Sequence, residues 1–285
     1  MDSMISGKTK LCGLFGDPVE HSVSPQMHNA AFRKLGLDYC YLPFRVAKEN
    51  AAKAVDGVRA MNLRGVNVTV PNKVAVIPSL DKLEPLAEKI GAVNTVVNDD
   101  GFLTGDNTDA AGFLLPLLES GVEPEGKNVV VLGAGGGSRA VSFALADRGA
   151  RVVIVNRTLE KAQELAQRIS QSLPASVRAV GMDEASLEAE MEKAEIVVNT
   201  TSLGLKNSEQ SPVPGRMLRS VMVVYDIVYN PPQTRLLREA GAAGARTIAG
   251  LDMLVRQGAL AFEKWTGEKA PVDLMKQEVA SALGL

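Results

Sequence analysis

The stretch 127–158, "KNVVVLGAGGGSRAVSFALADRGARVVIVNRT", decides the fold. Val129–Leu132 is a short, continuous apolar run, the pattern of a strand buried on both faces. Gly133, Ala134, Gly135, Gly136 and Gly137 follow at once, and the next segment has helical apolar spacing up to Gly149. A second apolar run, "RVVIV", then completes a strand, turn, helix, strand unit. Glycines at such a turn let the backbone bend tightly and approach a pyrophosphate, whose charge is met by the amides of the helix N-terminus. The common pattern also wants glycine at the position of Ser138, so the motif departs from it at one place. A glycine cluster alone marks only a tight turn; the strand before it and the helix after it make this a Rossmann-type dinucleotide site.

The end of the second strand selects the cofactor. About 20 residues beyond the glycines, an NAD enzyme carries an acid for the ribose 2′-hydroxyl. This chain has Asn156, Arg157 and Thr158 there, with Lys161 one helical turn from Arg157. A carboxylate would repel a 2′-phosphate, whereas a guanidinium pairs with it bidentately. NADP(H) is therefore expected. The plainer alternative, surface charge at a helix start, suits Lys161 better than it suits the Asn-Arg-Thr group.

Around this unit, apolar runs of about six residues alternate with helical patterns along all 285 residues, which argues α/β with largely parallel sheets. "LCGLFG" (11–16), "YCYLPFRV" (39–46) and the run leading into "NVTVPNK" (67–73) read as strands. "SPQMHNAAFRKLG" (24–36) reads as a helix with Ser24 as its cap, Pro25 first inside it and Gly36 as its stop. "DDG" turns a hairpin before the helix that starts near Asp109. Two domains are expected: an α/β substrate-binding catalytic domain, 1–109 with 251–285, and a Rossmann-type NADP-binding domain, 110–250. The C-terminal helices are expected to pack back on the first.

The 31 Lys and Arg against 33 Asp and Glu leave −2, which gives no support to nucleic-acid or anionic-membrane binding. No apolar run approaches the ~20 residues that span a bilayer, and the first ten residues lack the apolar core of a secretory signal. Cys12 and Cys40 sit in apolar strand-like runs and read as small buried hydrophobes of a reducing compartment. A cytoplasmic monomer or homodimer acting on a small-molecule substrate, with no metal, is the expectation.

The chemistry is narrowed by exclusion. Two distant cysteines and only His21 and His28 cannot supply the ligands of a zinc alcohol dehydrogenase. None of the four tyrosines has lysine four residues on, so the short-chain Tyr-x-x-x-Lys pair is missing. What remains is a set of polar residues next to strand ends. Ser22 and Ser24 stand two apart, where both hydroxyls can serve a carboxylate beside a helix N-terminus; Ser24 as a mere cap explains the spacing equally well. Asn67 and Thr69 alternate with valines on one strand face, Lys73 follows, and Asn94 and Asp109 lie in "GAVNTV" and "GDNTD". Each alone is an ordinary loop or strand residue. Together, beside strand ends, they suit a polyhydroxylated ring.

The stretches "GDPVEHSVSPQMHNAAF", "GVNVTVPNK", "GAVNTV", "GDNTDAAGF", "GAGGGSRA", "NRTLEKA", "VNTTSLG", "DIVYNPPQT" and "GLDMLVRQGALAFEKWTG", in this order, resemble the shikimate dehydrogenase family through nearly the whole chain. The resemblance implies reversible NADPH-dependent reduction of 3-dehydroshikimate to shikimate, in chorismate and aromatic amino-acid biosynthesis. It implies that Ser22 and Ser24 hold the substrate carboxylate, that Asn67, Thr69, Asn94 and Gln257 hold its hydroxyls, and that Lys73 and Asp109 form the catalytic pair. Tyr229 matches a substrate-site tyrosine. Thr200, Ser202, Ile227, Gly250 and Met253 match cofactor positions, the last two at the nicotinamide end. A quinate/shikimate dehydrogenase of broader specificity is the near alternative, and a methylenetetrahydrofolate dehydrogenase would leave "EHSVSP" unexplained. A non-catalytic dinucleotide sensor would be expected to lack Lys73 or Asp109, and both are present.

Overall fold

A computed structural model describes residues 5–205 and 207–285. In chain order its elements are β1 (Lys10–Gly16), α1 (Ser24–Lys34), β2 (Tyr39–Arg45), α2 (Ala51–Ala60), β3 (Gly65–Val68), β4 (Lys82–Leu83), α3 (Pro85–Ile90), β5 (Thr95–Asp99), β6 (Phe102–Asp106) and α4 (Asp109–Glu119). Then come β7 (Asn128–Leu132), α5 (Gly136–Asp147), β8 (Arg151–Asn156), α6 (Leu159–Ser172), β9 (Val177–Gly181), α7 (Glu184–Met191), β10 (Ile196–Asn199) and β11 (Val223–Asp226). The last are α8 (Arg235–Ala242), β12 (Arg246–Ala249), α9 (Leu251–Thr266) and α10 (Val272–Ala282). The chain forms two compact units. One runs to Thr108 and takes in Val255–Leu285; the other is Asp109–Leu254.

The first unit holds a six-stranded sheet in the order β2-β1-β3-β5-β6-β4. It is parallel as expected except at β5: β1 pairs in parallel with β2 and β3, and β4 with β6, but β5 runs antiparallel to both β3 and β6. The β5–β6 pairing follows from the turn between them. Asp100 (φ 51°) and Gly101 (φ 96°) both take left-handed conformations, the pair that folds a strand straight back on its neighbour. The C-terminal helices lie on this unit. Trp265 of α9 is fully buried and donates its indole N–H to Val96 O at 3.0 Å, and α10 packs on α1. Gly65 makes the room: a Cβ there would stand 2.3 Å from the Trp265 Nε1.

Two local expectations are corrected. The helix cap is Val23, not Ser24, which is the first helical residue; the Ser22 hydroxyl accepts the Ser24 amide at 3.2 Å and meets one of the unpaired helix donors. The β3 strand stops at Val68. Val66 and Val68 are buried, whereas Val70 is 61% exposed, because Asn72 N–H closes a turn on Thr69 O at 2.8 Å and Pro71 has no amide for a ladder.

The second unit holds an all-parallel sheet in the order β12-β11-β10-β7-β8-β9. The chain winds outward from β7 to one edge, returns, and winds out to the other, so the order reverses between β7 and β10. Ligands of such sheets sit at this reversal, beyond the carboxyl ends of the strands. One core cluster joins Leu132, Val155, Val197 and Val224 of the four middle strands to Leu236 and Ala240 of α8.

Candidate active site

In the first unit the polar residues named from sequence gather at one end of the sheet. β3 ends there, β5 begins there, and β6 delivers Asn107 and Thr108 to the same end. Asn94 and Asn67 are buried and tied into one network. The Asn94 Nδ2 donates to Thr108 Oγ1 (2.9 Å) and to Gln257 Oε1 (3.3 Å), while its Oδ1 accepts from the Thr108 amide (2.7 Å) and the Thr95 hydroxyl (3.1 Å). Asn67 Oδ1 accepts the Tyr41 hydroxyl at 2.9 Å, and Asn67 Nδ2 donates to Asn94 O and Thr95 Oγ1, both at 3.3 Å. A group of amides and hydroxyls this well connected is rigid, and side chains of its rim, such as Gln257, are the ones placed to meet a ligand.

Thr69 is half-buried just past β3, its methyl against Gly16, where a Cβ would come within 2.3 Å of it. Lys73 is half-buried in the following turn, five residues beyond the strand, and its carbonyl accepts the Val93 amide at 2.8 Å. Ser24 is buried and Ser22 half-buried. Thr108 is followed directly by Asp109, a buried residue that opens α4 in the second unit.

In the second unit the glycine turn fits a nucleotide. Gly133 has φ 112°, and a Cβ would stand 2.7 Å from Thr200 Oγ1, so only glycine fits. Gly135 caps α5, is exposed, and a Cβ there would meet nothing within 4 Å; the amides of the helix start are open to an anion. Ser138, the departure from the usual glycine, is wholly buried and donates to Gly133 O at 2.6 Å, fastening the helix to the turn. Ala134, Gly136 and Gly137 are half-buried around it, and Gly137 faces Ile227. Thr200 closes the other side by donating to Leu132 O at 2.7 Å.

At the end of β8, Asn156 is half-buried and donates to Thr158 O at 2.8 Å, while Arg157, Thr158 and Lys161 are exposed at the start of α6. The loop is held and its cations face solvent, where a phosphate can reach them. Gly250 admits no side chain, since a Cβ would lie 2.3 Å from Ile227 O. Met253 is buried and Gln257 follows one turn later on α9. Ser202 is exposed in the loop after β10, and Tyr229 is half-buried after β11, where burial raises its phenol.

Sequence reading missed four members of these sets. Tyr41, Thr95 and Thr108 complete the first network; Thr95 and Thr108 stood within the singled-out motifs, but Tyr41 sat in an apolar run. Asp226, at the end of β11, accepts from Asn199 Nδ2 (2.9 Å), Val228 N (3.0 Å) and Thr234 Oγ1 (2.6 Å). Its burial pushes the carboxyl up to about 6.

Comparison with known proteins gives a consistent assignment. A family model described as the shikimate dehydrogenase substrate binding domain matches residues 14–96, one described as shikimate / quinate 5-dehydrogenase matches 118–228, and one described as the shikimate 5′-dehydrogenase C-terminal domain matches 250–280. A shikimate dehydrogenase (NADP(+)) of Alkaliphilus metalliredigens is 44% identical over 285 residues, 99% of this chain and 100% of that protein. The crystal structure of a shikimate dehydrogenase in complex with NADP+ has a TM-score of 0.91 at 42% identity, covering 98% of both chains. The shikimate 5-dehydrogenase of Thermus thermophilus, in complex with NADP(H) and shikimate, has a TM-score of 0.86 at 40% identity, over 96% of this chain and 100% of that one.

Proposed function

The chain belongs to the shikimate dehydrogenase family, and on that premise we propose how its residues divide the reaction. The reaction is reversible, NADP-dependent oxidoreduction at a CH–OH group, 3-dehydroshikimate to shikimate, a step of aromatic amino-acid biosynthesis. NADPH, when bound, supplies the hydride. The first unit binds the substrate and the second the nucleotide. Ser22 and Ser24 take the carboxylate; the Asn67–Thr95–Asn94–Gln257 group, with Thr69, takes the ring hydroxyls.

Lys73 carries the proton chemistry. A carbonyl oxygen that accepts hydride at its carbon gains negative charge, and an ammonium beside it stabilises that charge and supplies the proton. Asp109 orients the lysine and a substrate hydroxyl. Tyr229 contributes a hydroxyl to the substrate. Gly133 to Gly137 cradle the pyrophosphate, Asn156, Arg157, Thr158 and Lys161 hold the 2′-phosphate end, Gly250 and Met253 hold the nicotinamide end, and Thr200, Ser202 and Ile227 complete the cofactor site.

The observation that carries the cofactor assignment is the open glycine turn followed by exposed Arg157 and Lys161 where an acid would select NAD. No helix among the described residues is long and apolar enough to cross a membrane. The cytoplasm suits the reaction and keeps Cys12 and Cys40 as thiols, in a monomer or homodimer. The test follows nicotinamide absorbance with shikimate and NADP+, then with NAD+, then with quinate. Shikimate with NADP+ should be the fastest pair by far. Binding of NADP+ without turnover would favour the sensor, and equal use of quinate would favour the broader enzyme.

A further inference from the structure

We propose that Asp226 is a positioning residue for the cofactor: one buried carboxylate fastens together two loops of the cofactor site, one of which packs Ile227 against Gly250 at the nicotinamide end. The inference rests on the reading that Thr200, Ser202, Ile227 and Gly250 contact the cofactor. Asp226 ends β11 and Asn199 ends β10, neighbouring strands in register at these two residues. Both are wholly inaccessible, as is the Thr234 side chain to within 1%. The carboxylate accepts from the Asn199 amide, from the Val228 N–H and from the Thr234 hydroxyl.

Each donor belongs to a different piece of chain. Asn199 passes the constraint on, because its Oδ1 accepts both the amide (3.0 Å) and the hydroxyl (2.8 Å) of Thr201, whose Oγ1 in turn accepts Leu203 N–H at 3.2 Å. The loop 200–203 is thus shaped around Asn199. Val228 stands next to Ile227 and Tyr229. Thr234 caps α8, accepting Leu237 N–H at 3.3 Å, and its methyl lies 3.3 Å from where a Gly204 Cβ would be. Removing the carboxylate would release both loops at once.

Only an acceptor can do this. An ionised carboxylate offers lone pairs to all three donors, whereas an amide in its place would turn an NH2 toward a group that also donates. The groups that face Asp226 from β10, from the loop after β11 and from α8 are Asn199, Val228 and Thr234, none of them charged. Among the described residues no cation pairs with this buried acid, and burial, outweighing the three donors, pushes its carboxyl up to about 6. An acid kept in place at such a cost, in contact with both ligand loops, fits a positioning task better than a packing one.

The decisive measurement is nucleotide binding by titration calorimetry well below the melting temperature. Asp226→Asn should weaken NADP+ tenfold or more. It should leave adenosine 2′,5′-bisphosphate unchanged, because that fragment reaches only the glycine turn and the Arg157 end. Should Asp226→Asn not fold, Thr234→Val should weaken NADP+ severalfold where Thr234→Ser does not. Wild-type affinity for NADP+ in Asp226→Asn, or equal loss of the fragment, would each overturn the positioning role. A wild-type chain that bound the fragment but gained nothing from the nicotinamide half would instead sink the reading beneath it.

Discussion

At Lys73 the structure sets a side chain of the first unit in a tight turn rather than on the strand, with the backbone pinned to Val93. A residue acting in the proton step should lower kcat when removed, with KM nearly unchanged. Lys73→Ala is expected to cost about 10²–10⁴-fold in kcat; a variant that kept kcat and raised only KM would make the lysine a binding group. Arg157 lends itself to an equally sharp test. Loss of one charge-assisted pair costs about 1.5–3 kcal/mol, so Arg157→Ala should raise KM for NADP+ by roughly 10- to 100-fold and leave KM for NAD+ as it was. Both side chains could be named from the sequence because their chemistry is local to a motif. Their neighbours could not. Tyr41 meets Asn67, and Thr95 stands directly across from Asn67 only because β5 pairs antiparallel in that register, a non-local fact. Ser138 looked like a defect in the glycine pattern, yet its hydroxyl is what ties the helix to the turn. Ser138→Ala keeps the small volume and loses the bond, and should cost about 1 kcal/mol of stability, read from the urea midpoint.

Elements were legible where period and punctuation agreed. The strand–turn–helix–strand unit at 127–158 and the "DDG" hairpin stand where they were read, because buried parallel strands are continuous apolar runs and left-handed turns need Gly or Asp. β9 escaped notice: it is an edge strand with half-buried side chains, so it has neither an apolar run nor a clean alternation. β2, the open edge of the first sheet, shows what sequence patterning does not carry. The outward amide and carbonyl of Tyr41 are both taken by the Asn29 side chain of α1, at 2.8 and 3.0 Å. Tyr39 N–H goes to Leu37 O, and Pro43 has no N–H to offer. Asn29 thus occupies the edge at Tyr41 as a further strand would, next to Leu42, which is 44% exposed. Asn29→Val should expose that edge and produce concentration-dependent association in size-exclusion chromatography; a variant that remains a single species at all concentrations would show that the edge is guarded by other means.

Over the whole molecule, two buried ionisable groups give acid opposite effects on the two units. His28, in the first, is sealed among aromatic rings, stacked on Tyr41 at 4.4 Å and 5.4 Å from Trp265, and neither ring nitrogen has a hydrogen-bond partner among the described residues. Burial alone pulls its titration down to about 3 from an ordinary 6.5. The folded state keeps it neutral while the unfolded chain protonates, so the stability present above pH 6.5 is lost as pH falls toward 3. Asp226, in the second unit, is raised to about 6 from 3.8, again chiefly by burial. There the stability present below 3.8 is lost as pH rises through 6. Each moves the balance by up to about 1.4 kcal/mol per pH unit in its window. Between about pH 6 and 4, acid should therefore loosen the first unit through His28 while Asp226 tightens the second. Hydrogen exchange separates them, since amides of β1 and β3 report one unit and those of β7 and β10 the other. His28→Phe should stabilise the first set relative to the native chain by roughly 2 kcal/mol more at about pH 4.5 than at about 6.5, with the second set unmoved. Asp226→Asn should flatten the acid gain of the second set alone. A His28→Phe advantage that is the same at both pH values would mean that the imidazole protonates without leaving its aromatic box, and that burial there is less complete than its geometry shows.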